Sequence, residues 1–264
     1  MKKLNVLLLF LLALSCSPKL KSNVITSFNP LEKDDLVIVL KISDDQLIEG
    51  DKVGSVKATD NGMSVNCTYY ENINSLKKLA MQSGANVIKI TRQKIPDKWS
   101  TCNRLWADIY RVDDPKLLET QIEWSEDRKL TWDDFKGKPD RENYPNALAL
   151  TNSGFGYESG NNMFKEGEVF VQSVFNTNSS WVLQEGRTDY VLRHEQIHFD
   201  ITEIYSRKLR KELADAKVTS SELLRAKTIF DKVFNEMQKR QEKYDRETAR
   251  GDKTETQENW EAIV

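Results

Sequence analysis

The stretch LRHEQIHFD, Leu192–Asp200, holds both histidines of the 264-residue chain, four positions apart, with a glutamate directly after the first. On a helix, where residues advance about 100° each, His194 and His198 stack one turn apart and can reach a single ion. Val191, Ile201 and Tyr205 continue that face, so it points inward. Glu195 sits at its edge, placed to touch a bound water rather than the metal. Zinc held by two imidazoles and one more ligand keeps an open position and lowers the pKa of its water to about 7. Glu195 would take a proton from that water as it attacks a carbonyl, then pass it to the leaving amine. The plainer alternative is a pair of core or surface histidines on an amphipathic helix.

The third ligand follows by elimination. No histidine is left, and Cys67 and Cys102 lie elsewhere in the chain, so a carboxylate must serve. Glu203 is near in sequence but about 140° around the helix from His198, facing away. The C-terminal helix is better placed. Its apolar stripe runs Leu223, Ala226, Phe230, Val233, Phe234, Met237, Tyr244, and Asp245 lies about 20° from Phe234 on that wheel. A buried carboxylate needs a cation, so Asp245 is the expected ligand, with Glu242 behind it. A salt bridge from Asp245 to Arg193 or Arg207 is the structural alternative. With no histidine to spare for an oxyanion, that work falls to the zinc, an arginine, backbone amides or a tyrosine. Tyr244 and Tyr190 are the tyrosine candidates, each otherwise a core residue.

Positioning these groups requires long helices. One is expected from about Thr188 to Ala214. A second starts at TSSE, where Thr219 and Glu222 form a capping-box pattern, and runs to about Arg250 with Gly251 as its stop. Ahead of them lie turn-rich segments and the strand candidate EVFVQSVFN, and residues 252–264 read as a charged, fraying tail. Residues 35–112 read as a small α+β domain: strands in LVIVLKI, KVGSVKA, ANVIKITRQKI and RLWADIYRV, and a helix in NINSLKKLAMQSGA capped by Asn72 or Asn74 and stopped by Gly84. Residues 113–121 read as a linker and 17–34 as an irregular tether. The whole is expected to be α+β.

The chain opens MKKLNVLLLFLLALSCS: two lysines, a short apolar run, small residues, then Cys16. This pattern, too short for an ordinary span, predicts export. Residues 1–16 resemble a lipoprotein signal in which Cys16 is acylated, with Ala13 where leucine is commoner. In an oxidising compartment the remaining pair, Cys67 and Cys102, reads as a disulfide, the alternative being two buried thiols. The 39 basic and 41 acidic side chains nearly cancel, so no field favours nucleic acid. The expected location is a bacterial cell envelope, lipid-anchored and facing the periplasm or exterior.

Residues from about 122 to 251 resemble the bacterial predicted secreted zinc-dependent protease family (domain of unknown function 922). The resemblance rests on LTWDDFKG (130–137), ALTNSGFGY (149–157), FVQSVFNTNSSWV (170–182), LRHEQIHFDITEI (192–204) and YDRETARG (244–251). It implies a zincin-like metallopeptidase with a strand-rich first half and two long C-terminal helices. His194 and His198 would be zinc ligands and Glu195 the catalytic base. YDRETARG resembles a family segment ending His-Gly where this chain has Arg250–Gly251, and this departure bears on activity. By the same resemblance, the strand 170–176 would be an edge strand pairing with an extended peptide. AMQSGANVIKI followed by a cysteine-bearing strand is similar to small disulfide-containing domains of envelope-stress lipoproteins. The reading is a lipid-anchored zinc metallopeptidase acting on peptides or proteins. Its rivals are a non-catalytic binding or sensor lipoprotein with a degenerate or structural metal site, and a zinc amidase acting on cell-wall peptides.

Overall fold

The computed structural model describes residues 17–62, 64, 66–159, 169–219, 222–249 and 253–264. Cys16, Arg250 and Gly251 lie outside the described residues. The chain is α+β and divides into two compact units, the first reaching Leu118 and the second starting at Glu119. That boundary falls inside the expected linker, whose middle is a 3-10 turn, Pro115–Leu118.

The first unit contains β1 (Lys19–Val24), β2 (Ile38–Leu40), β3 (Asp51–Thr59), α1 (Tyr69–Gln82), β4 (Val87–Lys94) and β5 (Arg104–Arg111). They form one sheet in the order β1-β3-β5-β4-β2, antiparallel except where β2 meets β4. Ile73, Leu76 and Ala80 of α1 pack on Val56, Ala58, Ile88, Leu105 and Ile109, closing one sheet face. The helix starts earlier than its asparagines suggest. Thr68 Oγ1 accepts from Glu71 N, and the Glu71 carboxylate accepts from Thr68 N, a closed capping box. Asn72 is buried instead, its Nδ2 donating to the carbonyls of Cys67 and Asn103. Gly84, at φ +75°, ends the turn, and a Cβ there would meet Asn29 O at 2.5 Å. Cys67 and Cys102 are disulfide-bonded across 35 positions of sequence.

The tether reading of 17–34 is corrected. Lys19–Val24 is the edge strand β1, and Phe28 and Leu31 pack against the core. Every residue of β1 is exposed, so it carries none of the alternation that reveals a half-buried strand.

The second unit contains β6 (Gln121–Glu123), β7 (Ala149–Leu150), β8 (Ser153–Ser159), β9 (Val169–Asn176), β10 (Trp181–Val182), α2 (Asp189–Asp215), α3 (Leu223–Thr248) and α4 (Thr254–Glu261). A three-stranded antiparallel sheet runs β6-β9-β8, and β7 pairs with β10. The strand at 170–176 is therefore central, not an edge. Among the described residues the long edge is β8, which meets α2 through Ser153 Oγ and Thr202 Oγ1, 2.7 Å apart. Contacts between α2 and α3 run in opposite directions, His198 to Gln241 and Glu212 to Lys232, so the helices form an antiparallel hairpin. Its apolar seam joins Ile197, Ile201, Leu209 and Leu213 to Ala226, Val233, Met237 and Tyr244.

Helix α2 starts where expected, and Thr188 caps it, accepting from Val191 N. Glu222 does accept from Thr219 N and Oγ1, but α3 begins only at Leu223. The fraying tail is also corrected: α4 buries Gln257 and Trp260 against the hairpin. An indole within a charged segment marks an anchor that charge content hides. No described helix is long and apolar enough to cross a membrane.

Candidate metal centre

Helix α2 sets His194 and His198 one turn apart with their Nε2 atoms 3.3 Å from each other. From α3, Asp245 brings Oδ1 to 3.1 Å from His198 Nε2 and 3.3 Å from His194 Nε2. These three groups could hold a metal ion. Access is one-sided, since the two imidazoles are 6% and 15% exposed and Asp245 is 41% exposed. The Tyr244 ring forms the floor, stacked on His194 at 4.6 Å between centroids and edge-on to His198 at 5.0 Å.

Two glutamines absent from the sequence reading fix the imidazoles. Gln257 of α4 donates Nε2 to Tyr190 O, which turns its Oε1 towards His194 Nδ1 at 3.2 Å. Gln241 of α3 donates Nε2 to His198 O and Thr202 Oγ1, which turns its Oε1 towards His198 Nδ1 at 2.6 Å. Each Nδ1 faces an acceptor and so carries the hydrogen. Both Nε2 lone pairs then converge with a carboxylate oxygen, an arrangement of three acceptors that requires a cation or a proton between them.

Among the protein groups alone, burial opposes charge on His198. The Asp245 hydrogen bond, the Glu195 charge and Gln241 outweigh it and raise the pKa above its ordinary value. Burial also works against the Asp245 carboxylate, yet the two imidazoles hold it well below the usual range. Glu195 is 4% exposed, and its Oε2 is buried without a hydrogen-bond partner. Its main-chain carbonyl accepts from Thr151 Oγ1 at 3.2 Å, tying this turn to the start of β8.

The other expected residues separate. Glu203 is a structural carboxylate, bound by Arg207, Arg210 and Ser173. Glu242 is exposed on α3. Arg193 pairs with Glu261 and Arg207 with Glu203, so neither takes Asp245. Tyr244 is corrected as an oxyanion donor: it is fully buried, and its hydroxyl lies 3.5 Å from His194 O. Burial, with the charges of Glu195 and Asp245, pushes that phenol far up. Tyr190 has a buried hydroxyl without a partner and contributes its carbonyl to Gln257.

Gln241 had a legible signal. It lies four residues before Asp245 and so about 40° away on the same helix face. Gln257 had none beyond its neighbour Trp260, whose indole packs on Tyr244 at 5.1 Å and donates to Glu247 at 3.2 Å.

Neither curated proteins nor solved structures yield a match to this chain. Two of the stretches that carry the family resemblance, 130–137 and 149–157, precede the part matched by a family model. Residues 176–252, which include His194, Glu195, His198, Gln241 and Asp245, match the family described as "Bacterial protein of unknown function (DUF922)".

Proposed function

We propose that the second unit is a zinc-dependent metallopeptidase, carried on a lipid-anchored protein of the bacterial cell envelope. The observation that carries this reading is the convergence of two Nε2 lone pairs and one carboxylate oxygen within 3.3 Å, with both Nδ1 hydrogens held outward by glutamines. A donor set of two nitrogens and one oxygen, open on the Asp245 side, suits zinc with a position to spare. The unpartnered Glu195 Oε2 fits the same site, because a buried carboxylate oxygen needs a hydrogen to accept.

Bound there, zinc would supply Lewis-acid polarisation of a carbonyl and acidify a water to a pKa of about 7. The chain's own groups do the rest. Glu195 Oε2 takes the proton of the attacking water and returns it to the leaving amine. Gln241 and Gln257 keep both imidazoles in one tautomer and one orientation. Tyr244 excludes water beneath the rings. Strand β8, an edge among the described residues and tied to α2 through Ser153 and Thr151, would offer main-chain donors and acceptors to an extended peptide.

The test is metal analysis with hydrolysis assays on unfolded protein and on peptidoglycan peptides in parallel. One zinc per chain, and hydrolysis lost on Glu195→Gln with the metal kept, would support the reading. Hydrolysis confined to cell-wall peptides would favour the amidase. Metal that stabilises the fold without any hydrolysis would leave a structural site. Release of a Cys16→Ser protein from the membrane fraction tests the anchor.

A further inference from the structure

The sheet face of the first unit away from α1 is covered at its β2 end, where Ile48, Val112 and Leu118 pack on Ile38, Leu40 and Val87, and towards β1 its charge is one-sided. Strand pairing puts Lys19 opposite Thr59, Lys21 opposite Lys57, Arg92 opposite Trp106 and Lys94 opposite Arg104, all away from α1. Arg92 lies over the Trp106 ring at 4.7 Å. Asp108 is the acid on this face, and it is paired with Lys52 at 2.7 Å. Seven further cations share this face, Lys89 among them and Arg104 paired with Asp97, in a chain whose net charge is −2.

The same registers place Lys19, Thr59, Arg104 and Lys94 at one end of the sheet, where the β4–β5 connection projects. That connection is a tight turn, closed by Asp97 N to Ser100 O at 2.8 Å and Ser100 N to Asp97 O at 3.2 Å. Asp97 Oδ1 also accepts from Trp99 N, and Arg104 neutralises the carboxylate at 2.6 Å. Asp60, the other acid nearby, accepts from Ser100 Oγ. Held this way, Trp99 is 83% exposed and Ile95 67%, with Lys98 beside the indole at 5.2 Å. A projecting indole with a lysine beside it, at the sheet end that carries Lys19, Lys94 and Arg104, matches the water–hydrocarbon boundary of a bilayer, where tryptophan and lysine are both at home.

We propose that this end of the first unit docks on an anionic lipid surface. Trp99 and Ile95 enter the headgroup boundary, while Lys19, Lys21, Lys57 and Lys94 face acidic headgroups. The chain's own route points the same way: β1 begins three residues after Cys16, a distance of at most about 10 Å, so any lipid there would deliver this end to the bilayer. The docking requires neither that lipid nor the metal centre.

The experiment floats the chain from Ser17 to Val264, which holds every described element, with vesicles of phosphatidylcholine or of phosphatidylcholine mixed with phosphatidylglycerol. Binding is expected only to the mixed vesicles and should weaken at least about thirtyfold in Lys21→Glu/Lys57→Glu. Brominated lipid should quench tryptophan emission in the parent protein and lose that quenching in Trp99→Ala. All substituted positions lie on the surface, so unchanged melting temperatures serve as the folding control. Binding equal on both vesicle types, or none, overturns the proposal. So does charge-dependent binding to a single-stranded oligonucleotide as tight as to vesicles, with Trp99→Ala indifferent, which would make the face a general polyanion site.

Discussion

Two buried glutamates sit eight residues apart on α2, and the fold treats them oppositely. Around Glu203 the surroundings are complete: Arg207 and Arg210 donate to one oxygen at 2.9 and 2.6 Å, and Ser173 donates to the other. Around Glu195 they are not, and a carboxylate oxygen lies buried with nothing to accept from. The first region has solved the problem of a buried charge by pairing, the second has left it open towards the two imidazoles. Burial alone therefore does not mark function; an unmet hydrogen bond close to the two imidazoles is what singles out Glu195 as a candidate.

The sharpest way to break this comparison is to neutralise each carboxylate. Glu195→Gln should lower hydrolysis about a thousandfold with zinc content and melting temperature unchanged, measured by turnover and metal analysis. Retained turnover would make Glu195 a packing residue like Glu203. Asp245→Ala should cost more than about 100-fold in zinc affinity, read by competition with a chelating dye. Gln257→Leu and Gln241→Leu should each cost about 10- to 100-fold, because a freed imidazole adopts either tautomer. On the structural side, Glu203→Ala should remove about 2 kcal/mol of stability in a denaturant titration and leave zinc binding intact. Glu195→Ala, which removes an unsatisfied group, should be nearly neutral there.

The smallest effect is in pH. The His198 pKa is raised, so its ring still holds a proton somewhat above the ordinary range, and zinc must displace it. Affinity should fall about tenfold per unit as pH drops through that raised value and level off above it. A pH-independent affinity would mean that His198 does not bind the ion.

Helical periodicity placed His194, Glu195 and His198 on one helix and Asp245 on the facing side of another, and the structure brings three candidate donor atoms together, with Asp245 half-exposed rather than buried. That worked because both helices are long and regular, so angles on a wheel stay meaningful over many turns. The supports were harder to read. Gln241 shares a helix face with Asp245, yet nothing marks a neutral amide as the support of an imidazole, and Gln257, 63 residues from the ring it holds, follows no spacing rule. Strand β1 escaped because exposure on both faces erases its period, and α4 because one tryptophan is outweighed by charged neighbours. The edge assignment failed for a different reason: which strand lies outermost depends on partners, and β9 alone cannot reveal that β6 and β8 flank it.

Gln257 lies on an element that follows both site helices in sequence, and this has a consequence for assembly. A chain emerges from its amino end, so α4 arrives after α2 and α3. Until it docks, His194 lacks the amide that orients it and Tyr244 lacks the indole that covers it. On the proposed reading the site would stay incomplete until α4 docks, and removing α4 should loosen His194 and uncover Tyr244.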